Sequence, residues 1–191
     1  MQQIVGDCAG RAIATKLAGY LATGTGSGEP EGITIGGVEG KVAASATTFT
    51  YPELQDLYLS VLPAVRQVGV WEVGSQAYSI IFKMTDDNGR PLLQPAIGLG
   101  APETLMGRPI YQDATMPDCT GTSHRPIVFG DLGNFYWIRM VDRANNGGIL
   151  LEFDSGPLFT SFMETVRFAV WCDARVMGTG GEVAYLKLAA A

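Results

Sequence analysis

Histidine and basic side chains are scarce in this sequence. It has one histidine, His124, and 13 lysines and arginines against 19 aspartates and glutamates, so its formal net charge is −6 over 191 residues. Proteins that bind nucleic acid through a basic face have an excess of lysine and arginine instead. Any catalytic triad or histidine-containing metal site must also use this single imidazole. We therefore expect no sequence-specific binding of nucleic acid, no metal ion and no cofactor.

Cysteines are few and widely spaced. Cys8, Cys119 and Cys172 form no Cys-x-x-Cys pair, which argues against a structural zinc site and against a disulfide framework. We interpret them as reduced thiols of an intracellular product. Cys172 follows an apolar segment and is expected to be buried and inert.

Long apolar runs are missing as well. No run approaches the ~20 residues that a membrane-spanning helix needs, and the first residues lack the basic flank and apolar stretch of a signal peptide. Apolar residues nevertheless make up 47% of the chain and charged residues only 17%, which excludes disorder as the main state. The length suits one domain, or two small lobes, with a substantial core.

The first quarter of the sequence predicts a helix and a loop. Apolar side chains at helical spacing cover residues 4–21, and Gly24 is the expected terminator. No capping residue precedes this helix, which suggests that the natural chain starts earlier. Residues 23–40 are rich in glycine, serine, threonine and proline and are predicted to be a loop.

A second helix has a clear start signal. Thr50 and Glu53 have the spacing of a capping box, and Pro52 falls in the first turn. Apolar residues then repeat at helical spacing until the pattern stops near Gly69.

The rest of the sequence has the residue types and turns of strands. Strands are predicted over residues 78–84, 127–129, 135–141, 149–153, 165–176 and 183–188, with turns at 86–89, 145–148 and 179–181 and a loop at 98–109. Two helices followed by locally connected strands favour an α+β fold, with helices packed on a mostly antiparallel sheet.

The glycine-rich segment 24–30 has the composition of a phosphate-binding loop. It follows a helix, however, whereas a phosphate loop follows a strand and opens a helix. It also lacks the Gly-Lys-Ser/Thr sequence and is flanked by Glu29 and Glu31, which would repel phosphate. We interpret it as a connector.

Ser123 and His124, with Asp118 or Asp131, are the best candidates for a hydrolase triad. The nucleophile-elbow pattern is broken, because residues 121–125 read Gly-Thr-Ser-His-Arg and lack the second glycine. A lone loop histidine is usually a solvated or hydrogen-bonded side chain. The sequence therefore predicts no enzyme.

Two further clusters have simple explanations. Asp86, Asp87 and Asn88 offer oxygens to a calcium ion, but the chemistry of a hairpin turn explains them. The aromatic residues at 135–137 could stack on nucleic-acid bases. We see no basic residues interleaved with these aromatic residues, so we favour packing in the core or at an interface.

Six segments, in their order and spacing, resemble one known family, the major capsid proteins of tailed bacteriophages with the Hong Kong 97-like fold. These are 21–33, a Gly-x-Gly, Pro, Gly-Ile loop after a helix; 51–71, a helix running into Val-Gly-Val-Trp; 80–91, ending Asp-Asp-Asn-Gly-Arg-Pro; 104–110, Thr-Leu-Met-Gly-Arg-Pro-Ile, with Met-Pro at 116–117; 127–138, with Phe-Gly-Asp-Leu and Tyr-Trp-Ile; and 162–187, a closing strand and hairpin. The family's N-terminal arm and extended loop have no counterpart here, so the sequence looks like a C-terminal portion.

The resemblance implies two lobes. Residues 46–162 would form the axial lobe, whose copies meet around fivefold and sixfold axes. Residues 1–45 and 163–191 would form a partial peripheral lobe. No residue can be assigned to the covalent crosslink that some family members make.

The resemblance also implies a function. The chain would be a structural protein of a phage or prophage icosahedral capsid, assembling with copies of itself into pentamers and hexamers that enclose double-stranded DNA. Scaffold, maturation protease and portal are the further partners it suggests, with assembly in the host bacterial cytoplasm and a final location in the virion. An encapsulin-like nanocompartment shell and a small cytosolic hydrolase using Ser123 and His124 are the alternatives.

Two loops are the candidate contact sites between subunits. Residues 117–123 and 130–134 are expected near the tip of the axial lobe. The candidate residues in them are Pro117, Asp118, Gly130, Asp131 and Asn134.

Overall fold

A computed structural model describes residues 2–86, 88–93, 103–141, 149–154 and 165–190. The helices are α1 (Gln2–Thr23), α2 (Ile33–Gly36), α3 (Tyr51–Ser60), α4 (Pro63–Arg66), α5 (Ser75–Phe82) and α6 (Leu132–Phe135). The strands are β1 (Val38–Val42), β2 (Val70–Gly74), β3 (Thr104–Leu105), β4 (Arg108–Asp113), β5 (Ile127–Gly130), β6 (Tyr136–Met140), β7 (Ile149–Asp154), β8 (Thr165–Val170), β9 (Cys172–Val176) and β10 (Val183–Lys187).

A mixed sheet of six strands forms the centre, in the order β1-β10-β5-β2-β4-β3. β1 runs parallel to β10 and β2 runs parallel to β4, while the other neighbours are antiparallel. The sheet thus combines strands from segments predicted for both lobes, since β10 pairs with β1 on one side and with β5 on the other. The division into lobes stays a prediction.

Two antiparallel ribbons follow the central sheet. β6 pairs with β9, from Tyr136 opposite Val176 to Met140 opposite Cys172. β7 pairs with β8, from Ile149 opposite Val170 to Asp154 opposite Thr165. The predicted single strand over residues 165–176 is therefore two strands with Trp171 between them, because each half pairs with a different partner.

One face of the central sheet holds the main core. The rings of Trp71 on β2 and Phe129 on β5 lie 4.3 Å apart, and Tyr58 on α3 packs 5.1 Å from Phe129. The Trp71 indole N–H donates to the Leu105 carbonyl oxygen at 3.1 Å, so its polar atom is satisfied inside the core. Leu54 and Leu57 of α3 are fully buried against this cluster.

The predicted helix over residues 4–21 is confirmed as α1, but little of it is buried. Of its residues only Ala22, near the C-terminal end, is buried among the described side chains. The Thr115 hydroxyl lies 3.4 Å from the Ala18 carbonyl oxygen and fixes the same end. Between α1 and the ribbons runs a groove of about 370 Å³, lined by apolar side chains including Leu17, Tyr20 and Phe168.

The predicted strand over residues 78–84 is wrong, because helix α5 (Ser75–Phe82) occupies most of this segment. Its β-branched and aromatic residues suggested a strand. Ala77 and Ile81, one helical turn apart, are the side chains it buries in the core. A helical spacing of only two buried residues is too short a signal to outweigh composition.

Two predicted loops also contain regular structure. Residues 23–40 include α2 and the start of β1, and residues 103–109 of the predicted loop 98–109 include β3 and the start of β4. The predicted turn at 145–148 lies outside the described residues, as does Asp87 of the predicted turn 86–89. The helix predicted to run to residue 69 ends at Ser60, because Pro63 requires an extended Leu62 and starts the separate turn α4.

The capping box at α3 is confirmed. The Glu53 carboxylate accepts the Thr50 N–H at 2.7 Å and also the Ala44 N–H at 2.7 Å, so it ties the helix to the segment after β1. Burial alone raises the pKa of Glu53, but hydrogen bonds from the Ala44 and Thr50 N–H groups and the Thr50 hydroxyl outweigh burial. The pKa of Glu53 is therefore below its ordinary value.

A comparison of two leucines on α3 tests the assignment of the core. Leu57 is 0% exposed and Leu59 is 58% exposed. We expect Leu57→Ala to lower the free energy of unfolding by about 2–5 kcal/mol, because it leaves a cavity. Leu59→Ala should change it by less than about 0.5 kcal/mol. Urea denaturation followed by tryptophan fluorescence measures both, and equal losses would contradict this packing of α3.

Replacing Glu53 by glutamine tests the capping carboxylate. Because the folded state lowers the pKa of Glu53, its stabilisation is complete above the unfolded pKa of about 4.3 and disappears as pH falls through the folded pKa. We expect Glu53→Gln to cost about 1–2 kcal/mol at pH 7 and to cost progressively less towards pH 3.

The control is Glu39→Gln, because Glu39 makes only a surface ion pair with Lys187 at 3.5 Å. Denaturation curves between pH 3 and pH 7 give the comparison. A cost for Glu53→Gln that is the same at every pH would show that the carboxylate charge is not what caps α3.

Candidate functional site

Asp131 closes a tight turn after β5. Its carboxylate accepts the Asn134 backbone N–H at 3.2 Å and the Asn134 side-chain N–H at 2.6 Å, so Asp131 is the N-cap of α6. Asp131 is only 8% exposed. The candidate residues Asp131 and Asn134 are therefore bonded to each other within one subunit.

Gly130 lies against the turn that leads into β10. A Cβ added at this position would overlap the Glu182 carbonyl oxygen and lie 2.7 Å from the Val183 Cα. The Asp131 N–H donates to the same Glu182 oxygen at 3.3 Å. Glycine is required here for close approach of two backbones rather than for an unusual φ.

The Glu182 side chain organises the facing turn. Its carboxylate accepts the Thr179 hydroxyl at 2.7 Å and the Gly180 N–H at 2.8 Å. Hydrogen bonding from the Thr179 hydroxyl is the main cause that lowers the pKa of Glu182. Two turns, each held by a carboxylate, thus meet at this end of β5.

The loop with Pro117 and Asp118 lies at the other end of β5. The Asp118 carbonyl oxygen is 2.8 Å from Nδ1 of His124. The Cys119 N–H donates to the Gln76 side-chain oxygen at 3.1 Å, which ties the loop to the start of α5. Burial is the main cause that raises the pKa of the Cys119 thiol to about 11.

The structure does not bring the two candidate contact loops together. In the sheet, Gly130 is paired with Val70, and Ile127 with Val73 at the opposite end of β2. At ~3.4 Å per residue, three residues of β5 separate the loops by about 10 Å. Their contacts with neighbouring subunits stay a prediction.

The residues of the hydrolase alternative are not arranged as a triad. The His124 ring nitrogen faces the Asp118 backbone oxygen rather than a carboxylate. Ser123 has a φ of +61°, and within the described part of the chain no hydrogen bond joins its hydroxyl to the imidazole. Asp131 lies at the far end of β5. The hydrolase alternative is not favoured.

The acidic cluster that was considered and rejected as a calcium site lies only partly within the described residues. Asp86 accepts the Asn88 and Arg90 N–H groups at 2.9 and 2.7 Å, which is the turn chemistry that the sequence suggested. Asp87 falls outside the described residues. Among the described residues, no cluster of three His, Cys, Asp or Glu side chains has the arrangement of a metal site. None of the described helices is both long enough and apolar enough to cross a membrane.

The burial of the cysteines differs from the prediction. Cys119 is the buried one, whereas Cys172 is only half-buried and Cys8 is exposed. Residues 166–171 before Cys172 are half-buried or exposed, so their apolar composition suggested more burial than the structure has.

The structure reveals an exposed surface that the sequence did not predict. Trp137 on β6 lies directly opposite Arg175 on β9, and Arg139 lies opposite Asp173. Because side chains alternate along a strand, one side of the ribbon carries Trp137, Arg139, Val141, Trp171, Asp173 and Arg175, and all six are exposed. We call this surface the ribbon outer face. The aromatic residues at 135–137 do have arginine neighbours, but Arg175 is 38 residues distant in sequence (175 − 137).

Replacing Gly130 tests the contact between the two turns. We expect Gly130→Ala to lower the free energy of unfolding by about 1–3 kcal/mol, because backbone atoms must move to admit the methyl group. Gly133→Ala is the matched control, since the nearest atom to an added Cβ there is 3.7 Å away. It should be neutral or slightly stabilising within about 1 kcal/mol. Thermal denaturation measures both variants. Unfolding curves that are the same for the two variants would contradict the close approach of the two backbones.

Comparison with known proteins extends these findings. The model of the phage capsid family matches residues 1–149. No curated protein sequence matches the chain significantly.

Solved capsid structures share the fold over the whole chain. The capsid of an empty GTA particle, computed with C5 symmetry, has a TM-score of 0.79 and 21% identity and aligns over 100% of this chain and 67% of that chain. The capsid of the native GTA particle has a TM-score of 0.80, 21% identity and coverages of 100% and 66%. A chain of Gordonia phage Cozz has a TM-score of 0.66, 18% identity and coverages of 100% and 64%.

This chain therefore spans about two thirds of the length of the capsid chains that it matches. The fold is the α+β capsid fold that the sequence predicted, with helices on a mixed, mostly antiparallel sheet. Because the family model covers 149 of 191 residues, this chain belongs to the phage capsid family.

Proposed function

We propose that this chain is the shell-forming part of a major capsid protein of a phage or prophage. The observation that carries the proposal is the capsid fold, which aligns over 100% of the chain with TM-scores up to 0.80, together with the family match over residues 1–149. Both support a structural role in a capsid. We infer that the protein has no catalytic activity.

The physical character of the fold suits a repeated shell subunit. The six-stranded sheet with its aromatic core provides a rigid body, while α1 and the ribbons carry much of their surface exposed. A subunit with large unburied surfaces gains stability by burying them against copies of itself. Closed symmetry then multiplies modest contacts around the shell.

We propose that copies of the chain form pentamers and hexamers. The matching GTA capsids were computed with C5 symmetry, which supports a fivefold arrangement of those proteins. For this chain we infer an axial lobe near residues 46–162, with residues 1–45 and 163–191 in a peripheral lobe. Pro117, Asp118, Gly130, Asp131 and Asn134 remain candidate contact residues.

The proposed shell encloses double-stranded DNA without reading its sequence. The formal charge of −6 supports a container that does not hold the DNA tightly. Scaffold, maturation protease and portal are further proposed partners, with assembly in the host bacterial cytoplasm and residence in the virion capsid. An encapsulin-like shell would need the same fold. This alternative is not favoured, because the matches are phage and GTA capsids.

The solution mass of the purified chain tests the proposal. We expect light scattering after size exclusion to give five or six chains, or larger assemblies, with rings or shells in negative stain. His124→Ala is the control, because it removes the imidazole required by the hydrolase alternative and should leave assembly unchanged. A single-chain mass at every concentration, or an esterase activity lost in His124→Ala, would contradict the proposal.

A further inference from the structure

Asn88 and Gly89 form an exposed dipeptide in the turn that follows α5. Both residues are exposed, and Gly89 has a φ of +76°, which glycine adopts without steric cost. Apart from its chain neighbours, no atom of the described residues lies within 4 Å of a Cβ added at Gly89. The peptide bond between the two residues is therefore open to water and has room to move.

The side-chain amide of Asn88 is not held by the turn. Its backbone N–H donates to the Asp86 carboxylate at 2.9 Å, but no hydrogen bond joins its side chain to another described residue. The Gly89 N–H donates to the Asp86 carbonyl oxygen at 2.9 Å. Because this bond lies at the surface, water replaces it at small cost when the turn opens locally. The Gly89 nitrogen can then approach the amide carbon of Asn88.

The turn at Asn134 is built in the same way and supplies an internal comparison. In both turns an aspartate carboxylate accepts the backbone N–H of the asparagine. The following N–H donates to the aspartate carbonyl oxygen, at 2.9 Å from Gly89 and at 3.1 Å from Phe135. The side-chain amide of Asn134, however, donates to the Asp131 carboxylate at 2.6 Å. The residue after it is a half-buried phenylalanine that packs against the core.

We propose that Asn88 is a site of spontaneous deamidation. The Gly89 nitrogen loses its proton to water and attacks the side-chain carbonyl carbon of Asn88. A new C–N bond closes a succinimide ring, while the bond to the amide nitrogen breaks and this nitrogen leaves as ammonia. One water molecule then opens the ring and leaves aspartate or isoaspartate. Water is the only co-reactant, and the reaction exchanges no electrons with an oxidant or reductant.

The residue after the asparagine and the bonds of its amide determine the rate. Ring closure requires the following backbone nitrogen to swing towards the side chain, and glycine opposes this movement least because it has no Cβ. At Asn134 the Phe135 ring would have to leave its packing, and the bond to Asp131 would have to break first. Asparagine is chemically labile in general, but these contacts protect Asn134 and leave Asn88 reactive.

Conversion of Asn88 alters the turn permanently. Either product replaces a neutral amide by a second carboxylate close to that of Asp86, which accepts the Arg90 N–H at 2.7 Å. Isoaspartate also lengthens the main chain by a methylene group, so Arg90 moves relative to Asp86. The inference goes beyond the proposed function and does not depend on it, because the reaction occurs within one chain.

Incubation of the full chain at pH 8 tests the inference. Mass spectrometry of proteolytic peptides, with fragmentation to locate the converted residue, follows Asn88 and Asn134 in the same sample, and an isoaspartate assay identifies the product. We expect Asn88 to convert at least about tenfold faster than Asn134. Gly89→Ala should slow the conversion of Asn88 at least about tenfold, because the added methyl group hinders ring closure.

Gly107→Ala is the matched control. Gly107 has a φ of +73° and the same open space around an added Cβ, but it follows a methionine. This variant should leave the rate at Asn88 within about twofold of the wild type, since the two sites share no partner. Circular dichroism checks that both variants are folded.

Two results would overturn the inference. One is conversion of Asn88 that is no faster than that of Asn134, and the other is a rate at Asn88 that Gly89→Ala leaves unchanged. Asn146 also precedes a glycine in the sequence but lies outside the described residues, and the fragment masses distinguish it from Asn88. Neither result bears on the proposed capsid function, which the solution mass of the chain tests separately.

Discussion

The placement of β10 between β1 and β5 is the constraint on which the rest of the structure depends. Strand residues 183–186 are buried, and they hydrogen-bond to β5 on one side and to β1 on the other. Among the described strands, β1 has no other sheet partner, and α3 packs over β1 and β10. Because β1 and β10 are far apart in sequence, the central sheet is complete only when these two distant segments pair. Such long-range parallel pairing is slow to form.

Several acidic side chains hold loops of the subunit in place. Carboxylates accept backbone N–H groups in one loop after another, and they replace the carbonyl acceptors that regular structure would supply. The carboxylates that do so are Glu29, Glu53, Asp86, Asp113, Asp131 and Glu182. Glu72 is different, because burial, with Asp113 as a second cause, raises its pKa to about 7. Part of the acidic excess behind the net charge of −6 therefore serves to hold the loops of the subunit.

Local signals in the sequence predicted local structure well. The capping box of Thr50 and Glu53 identified α3, and the apolar stripe identified α1, because both depend on neighbours within one or two turns. The strand predicted at 78–84 is a helix because contacts with β2 and β4 outweigh its β-forming residues. β2 and β4 were not predicted, since their pairing is parallel and joins distant segments. The arginine opposite Trp137 was equally hidden, because register across a ribbon decides it.

Burial distinguishes the candidate contact residues from the ribbon outer face. Gly130 and Asp131 lie at one end of β5, where their atoms are committed to the turn before β10 and to Asn134. Pro117 and Asp118 lie at the other end, about 10 Å away along the strand. Trp137, Arg139 and Arg175, in contrast, lie exposed on one side of a ribbon that the Tyr136 hydroxyl ties to the Glu31 carbonyl oxygen. Gly130 and Asp131 therefore stabilise the subunit's own fold, and any contact they make with a neighbouring subunit has to form without displacing these bonds.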